Sequence, residues 1–416
     1  MASLEQLVII GAGHAAGRAA EHLALQGYPA KIIVLGEESH PSYERPALSK
    51  ALLAGNATVE STYVRPADFY AQHGIEVRTA NVVREIDRGA QRVVLASGPS
   101  IPYDRLLIAT GARPRRLNLH GATGERVRYL RTIDDSIALR GLLKPQARVV
   151  VIGAGLIGLE VAATARTLGA HVVVLEAATH AASRVLPLAV ARRLAKLHET
   201  QGNQLRFEAS LSSITEMGSH ARVELADRSL FEADVIVVGI GCEPNVELAS
   251  NAGLRCQDGI LTDAFGRSSD EHIFAAGDVC RFMHPAFQRP IRLESWHNAQ
   301  NQAIAVAKII AGGAEPYMAQ PWMWTDQFSL NLQVSGAPSS WNNLVWRGNP
   351  EGERFIAFTL QSGRVAGCIG WNAGREMREA RALVESSAQA APTDLADGSR
   401  PLRDLLGGAT GAFEAR

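Results

Sequence analysis

The sequence predicts an α/β protein with two Rossmann-like nucleotide-binding domains and a C-terminal α+β domain. Two glycine-rich fingerprints, opening at Gly11 and Gly153, each lie between an apolar strand and a helical pattern. In each, a second strand follows the helix and closes on an acid. Beyond Ala319 the pattern changes to short, aromatic-rich strands followed by one helix.

The first fingerprint runs from Leu7 to Glu37 as LVIIGAGHAAGRAAEHLALQGYPAKIIVLGE. Gly11 and Gly13 permit a tight turn and close backbone approach, so that a pyrophosphate can rest on the N-terminus of the next helix. The sixth position, Ala16, must be small for the helix to pack on the strand. Glu37 is placed to accept the 2′- and 3′-hydroxyls of an adenosine ribose. The second fingerprint, RVVVIGAGLIGLEVAATARTLGAHVVVLE, spans Arg148 to Glu176. Its equivalents are Gly153, Gly155, Gly158 and Glu176. Two adenosine cofactors in one chain point to a flavin and a nicotinamide.

The apolar run over residues 149–165 also fits a membrane helix by composition. Its glycines fall inside the fingerprint, Glu160 interrupts it and its first residues are β-branched, which favours a buried parallel strand followed by a helix.

A smaller repeat lies within the larger one. TGARP, from Thr110 to Pro114, follows the strand DRLLIA, and GIGCEP, from Gly239 to Pro244, follows ADVIVV. Each element lies where a chain leaving one nucleotide-binding sheet must cross to the next. HIFAAGDVC then puts Asp278 just past an apolar strand, in the crevice where open parallel sheets bind ligands, and there it can hydrogen-bond a polyol. LESWHNAQNQAIAVAKIIAG predicts a helix with Ser295 as N-cap. PWMWTDQF, NNLVWRGN, RFIAFTL and RVAGCIGWN predict antiparallel strands, REMREARALVESS a helix, and PLRDLL a short helix before a loose tail. The expected domains are 1–114 with 242–318, 115–241, and 319–416.

At 416 residues the chain is long enough for two or three well-buried domains. Its 42 basic and 42 acidic residues cancel, so no global field attracts nucleic acid or an anionic membrane. The Met-Ala-Ser-Leu start has no basic segment and leads straight into the first strand, which predicts a cytoplasmic protein. Cys242, Cys256, Cys280 and Cys368 are widely spaced, with neither a zinc-knuckle nor a redox-dithiol pattern.

Taken in order, GAGHAA, SYERPALSK, IATGARPR, YLRT, VIGAGLIGLEVAATA, VVGIGCEPN, DGILTD, FAAGDV, ESWHNAQNQ and WMWTDQ span almost the whole chain. This series resembles the FAD-dependent ferredoxin reductases of bacterial oxygenase systems. It is most similar to the reductase components of aromatic-ring dioxygenases such as biphenyl dioxygenase, with putidaredoxin reductase slightly further away.

The resemblance implies a glutathione-reductase-type fold, with a two-segment FAD domain, an inserted NADH domain and a C-terminal domain that helps cover the flavin. It places FAD against Gly11, Gly13, Ala15, Glu37, Arg45, Lys50, Val83, Thr110, Gly111, Arg131, Asp278 and Trp296. NADH falls on Gly153, Gly155, Leu156, Ile157, Gly158, Glu160, Glu176 and Gly241. His14 replaces an apolar residue of the pattern, and Trp296 replaces an aliphatic one found in putidaredoxin reductase. The implied partner is a [2Fe-2S] ferredoxin, Rieske-type or related, that feeds a terminal oxygenase.

Several residues suit that chemistry. A flavin joins a two-electron donor to a one-electron acceptor. Lys50 would lie near its N5 and favour the reduced ring, while Glu160 could pair with Lys50 or bind the nicotinamide amide; these two are the candidate catalytic residues. The helix starting near Trp296 would add the partial positive charge of its N-terminus. Trp322 and Trp324 would help cover the ring, with Asp326 and Gln327 nearby. Glu176, followed by Ala177 and Ala178 with no basic clamp, favours NADH over NADPH.

The other candidates are a rubredoxin reductase, an NADH oxidase-like flavoprotein and a non-catalytic FAD and NADH redox sensor. The oxidase is weakened because residues 37–50 contain no cysteine. Lys50, Arg289, Arg292, Arg375, Arg378 and Arg381 are candidate docking cations.

Overall fold

The computed structural model of the chain describes residues 6–285, 287–338 and 341–406. They form two compact units. The first comprises the described residues up to Arg115, then Leu130–Ala138 and Gly241–Ala319; the second comprises Arg116–Tyr129, Leu139–Ile240 and the described residues from Gln320 onward.

The first unit is built on a five-stranded parallel sheet, in the order Ile273–Ala275, Arg105–Ile108, Gln6–Ile10, Lys31–Leu35, Ile75–Arg78. Alternate side chains of the central strand feed two cores, as the two-residue period of a strand requires. Leu7 and Ile9 pack with Ala16, Ala19, Ala20 and Leu23 of the helix His14–Leu25, and with Ala303 and Val306 of the helix Trp296–Ile310. Val8 and Ile10 pack on the other face against Ile86, Val93 and Leu95. Those three residues belong to an antiparallel sheet of Val83–Asp87, Arg92–Leu95 and Ser100–Pro102. The strand is therefore apolar on both faces, which is why LVII reads as a continuous hydrophobic run.

The second unit repeats the plan, with parallel order Gln204–Arg206, His171–Leu175, Arg148–Ile152, Val235–Val238, Val127–Tyr129. Val150 and Ile152 pack against Ile214, Val223 and Leu225 of a three-stranded antiparallel sheet. The two parallel sheets differ at one edge. In the first unit the outer strand Ile273–Ala275 comes from chain far downstream of the fingerprint, whereas in the second the equivalent place is filled by Val127–Tyr129, upstream of it.

The second unit also holds a five-stranded antiparallel sheet, in the order Trp322–Gln327, Leu330–Gly336, Arg364–Trp371, Phe355–Gln361, Val345–Gly348. Met377, Ala380 and Leu383 of the helix Gly374–Glu385 pack on it with Ile356, Phe358 and Cys368. The sequence reading missed the strand Leu330–Gly336. Its alternation of Leu330, Leu332 and Val334 with polar residues is the period-two signal of a half-buried strand, and it follows Gln327 after only two residues. PLRDLL forms a 3₁₀ turn, Leu402–Leu406, in place of an α-helix, and the expected loose tail beyond it lies outside the described residues. No described helix is long and apolar enough to cross a membrane.

Candidate functional site

Each fingerprint builds the same cradle from backbone. Gly11 has φ +103°, and a Cβ there would meet the Ala109 carbonyl oxygen at 2.3 Å; Gly153 has φ +103°, and its Cβ would meet the Gly239 carbonyl oxygen at 2.5 Å. Neither position accepts a side chain. The Gly11 N–H donates to the Leu35 carbonyl at 2.8 Å and the Gly153 N–H to Leu175 at 2.7 Å, which ties each turn to the end of the following strand. Gly13 and Gly155 are the N-caps of twelve-residue helices with no side-chain cap and no acid in the first turn. Such ends present N–H donors and positive dipole character to an anion, as a dinucleotide pyrophosphate requires.

Ala15 and Ala16 are buried on the first helix. Ala15 also borders Gly277, whose φ of +80° turns the chain toward Asp278. On the second helix, Leu156 is half-buried, Ile157 is 51% exposed, and Gly158 lies so close to Gly153 that a Cβ would sit 2.1 Å from its carbonyl oxygen.

In the first unit, the polar candidates Arg45, Arg131 and Asp278 are brought into one chain. Arg45 donates to the Tyr43 hydroxyl at 2.8 Å, to Glu38 Oε1 at 3.0 Å and to the Arg131 carbonyl, and Arg131 donates to Asp278 Oδ2 at 3.1 Å. Thr132 and Asp135 cap the helix Ile133–Leu142 reciprocally, and Asp135 Oδ2 also accepts the Arg131 N–H at 2.9 Å, fixing that backbone. The buried Arg131 Nε has no hydrogen-bond partner among the described residues, and Gly111 lies 3.3 Å from the same guanidinium in Cβ terms. Thr110 exchanges two hydrogen bonds with Asn245, at 2.9 and 2.8 Å. Val83 is buried with Ile33 and Leu35 near the ends of the sheet strands. Glu37 is exposed beyond the strand Lys31–Leu35, and Lys50, half-buried, places Nζ 3.4 Å from the Pro46 carbonyl.

Sequence reasoning left out Tyr43, Glu38 and Asn245. Tyr43 and Asn245 lie inside quoted motifs, but no local spacing shows that they join Arg45 or Thr110.

Trp296 stacks on His14, with ring centroids 5.1 Å apart. Burial, together with the nearby Arg18, holds His14 far below the usual histidine range, at about 3, so the ring is neutral at physiological pH. Ser295 caps the Trp296–Ile310 helix by accepting the Asn298 N–H at 3.2 Å.

In the second unit, Glu176 Oε2 accepts the Ala154 N–H at 2.6 Å and Oε1 the Ala178 N–H at 2.8 Å. Glu176 thus holds the middle residue of the glycine turn. Glu160 is buried and accepts a hydrogen bond from Thr325 at 2.6 Å. Trp322 and Trp324 stack at 5.2 Å, Arg381 lies over Trp322 at 4.2 Å, and Trp324 donates to Asp326 at 3.1 Å. Gly241 falls in the first unit, at the crossing, where its carbonyl accepts the Arg115 N–H at 2.9 Å.

The candidate docking cations divide. Arg292 has a side chain only 10% exposed and pairs with Asp258 and Glu294, so it is not available for a partner. Arg381 pairs with Glu385 as well as covering Trp322, whereas Arg289, Arg375 and Arg378 are exposed.

All four cysteines are free thiols, and burial raises their pKa values, Cys242 to about 11 and Cys280 and Cys368 to about 12. None has the low-pKa character of a redox-active thiol.

The chain matches the pyridine nucleotide-disulphide oxidoreductase family over residues 5–303 and the reductase C-terminal family over residues 322–406. It belongs to the pyridine nucleotide-disulphide oxidoreductases. It is 39% identical over 405 residues to the ferredoxin-NAD(+) reductase component of the anthranilate 1,2-dioxygenase system of Burkholderia cepacia, covering 97% of this chain and 100% of that protein. The structure matches the ferredoxin reductase of the CYP199A2 system from Rhodopseudomonas palustris with a TM-score of 0.93 at 36% identity, over 96% of this chain and 99% of that one. It also matches the covalent putidaredoxin reductase-putidaredoxin complex, with a TM-score of 0.94 at 34% identity over 98% and 99% of the two chains. The fold and family expected from the ten motifs are therefore the ones observed.

Proposed function

We propose that this protein is an NADH:ferredoxin reductase that binds one FAD and passes electrons singly to a [2Fe-2S] ferredoxin serving an oxygenase. One observation carries this reading: two dinucleotide cradles of the same construction occur in one chain with no redox-active thiol pair among the described residues. FAD supplies the junction between two-electron and one-electron chemistry. The uncapped helix at Gly13 receives its pyrophosphate, Glu37 its adenosine ribose, and the Arg45, Arg131 and Asp278 group its remaining polar atoms. The unpartnered Arg131 Nε supports that assignment.

NADH binds the second cradle at Gly153, Gly155 and Gly158, with Leu156 and Ile157 beside it, Gly241 at the crossing and Glu176 on the ribose. Lys50 acts beside the flavin, Glu160 beside the nicotinamide, and Trp296 and Trp324 beside the ring system, while Thr110, Gly111, Val83, Ala15 and Ala16 shape the FAD pocket. The division into an FAD domain of 1–114 and 242–318, an NADH domain of 115–241 and a C-terminal domain of 319–416 is part of this proposal. We place the reaction in the cytoplasm, with its NADH pool. The anthranilate dioxygenase relative supports an aromatic-ring dioxygenase as the oxygenase served.

The test is NADH-driven cytochrome c reduction by the FAD-loaded protein with and without a [2Fe-2S] ferredoxin. Strong ferredoxin dependence is expected. Fast reduction of a disulfide or peroxide without any transfer to a ferredoxin would overturn the reading.

A further inference from the structure

Glu160 accepts from a buried line of hydrogen bonds that the reaction as described does not use. Asn203 Nδ2 lies 2.8 Å from His198 Nδ1, His198 Nε2 lies 2.7 Å from Gln327 Oε1, Gln327 Nε2 lies 3.0 Å from Thr325 Oγ1, and Thr325 Oγ1 lies 2.6 Å from Glu160 Oε1. No member is more than 3% exposed. The line joins the fingerprint helix Leu156–Thr167, the strand Trp322–Gln327 and the helix Leu188–Thr200.

The chemistry of each group sets one direction for the whole line. An amide NH₂ only donates, so His198 Nδ1 accepts and the ring proton sits on Nε2, which donates to the Gln327 carbonyl oxygen. That leaves the Gln327 NH₂ facing Thr325, whose lone pair it occupies, and the Thr325 hydroxyl hydrogen is left to point at Glu160. Every donor therefore points toward the carboxylate. Bonds aligned in this way polarise one another, and the last, to a carboxylate, is of the stronger charge-assisted kind. Burial lowers the His198 pKa, which keeps the ring neutral and the direction fixed. Five buried polar side chains are costly unless hydrogen-bonded, and of their buried side-chain atoms Asn203 Oδ1 alone has no partner among the described residues.

We propose that Thr325, Gln327, His198 and Asn203 are positioning residues that hold the Glu160 carboxylate in a single orientation for the nicotinamide, so that the C-terminal segment tunes the NADH half of the reaction. The proposal rests on the role given above to Glu160. Replacing Thr325 by valine keeps the shape and removes the last donor.

With holoenzyme in rapid mixing, Thr325→Val is expected to slow flavin reduction by NADH about tenfold, the loss of one charge-assisted hydrogen bond, while the NADH dissociation constant changes by less than about twofold. Thr325→Ser, which restores the hydroxyl, should recover the rate, and in a Glu160→Gln background Thr325→Val should add nothing further. Wild-type reduction by Thr325→Val beside an impaired Glu160→Gln would overturn the relay and leave the role of Glu160 standing. Wild-type reduction by Glu160→Gln would instead overturn that role. Independent of activity and of variant folding, ¹⁵N NMR of the unmodified protein should show His198 as the neutral Nε2–H tautomer; an Nδ1–H or doubly protonated ring would overturn the relay.

Discussion

Gly158 and Ala16 occupy the same step of the two fingerprints and are not interchangeable. Ala16 is fully buried with its methyl accommodated, whereas a methyl at Gly158 would lie 2.1 Å from the Gly153 carbonyl oxygen. Gly158→Ala should therefore destabilise the protein by about 1–3 kcal/mol, the range for forcing an extra carbon into packed surroundings, and weaken NADH binding. Urea unfolding and NADH titration check both, and a variant matching the parent in each would remove the packing argument. Glu176 carries a separate prediction. In the ribose-binding role proposed for it, Glu176→Gln removes a charge that repels a 2′-phosphate and weakens acceptance from ribose hydroxyls, and it also weakens the observed acceptance from the Ala154 and Ala178 N–H groups. NADH kcat/KM should fall about tenfold and the gap to NADPH should narrow; steady-state kinetics with both cofactors decides it.

The helices His14–Leu25 and Trp296–Ile310 are packed together through alanines and through the His14–Trp296 stack. His14 has a native pKa of about 3 against 6.5 unfolded, so its contribution to stability is present above pH 6.5 and is lost as the pH falls from there toward 3. His14→Leu should flatten the decline in urea midpoint between pH 7.5 and pH 5.5. Some slope should remain, because burial also lowers the pKa values of His22, His198 and His284. An unchanged slope would show that the ring is not desolvated as described. The same helices show how much of an element is locally written. The Ser295 cap was legible from its place before an apolar run, and the structure bears it out. The strand Leu330–Gly336 was not among the expected strands, although Leu330, Leu332 and Val334 alternate with polar residues along it.

For the molecule as a whole, balanced charge means that no long-range field draws in the partner, and docking must depend on local groups. The exposed Arg289, Arg375 and Arg378 remain candidates, while Arg292 is committed to Asp258 and Glu294. Ferredoxin-dependent cytochrome c reduction should fall as salt rises, whereas ferricyanide reduction by NADH should fall less, since it needs no protein docking. Equal salt sensitivity of the two assays would argue against a charged docking surface.

The sequence by itself determined the two fingerprints, the acids that close them, the crossing points at TGARP and GIGCEP and the family, because each depends on residues close together in the chain or on their order along it. Tertiary structure alone decided which polar groups meet. Thr110 finds Asn245 135 positions away, Arg131 finds Asp278 across 147, and Glu160 and His198 find Thr325 and Gln327 across 165 and 129. Hydrogen-bond partners at such separations are chosen by how sheets and helices stack, and local patterning carries no record of that choice.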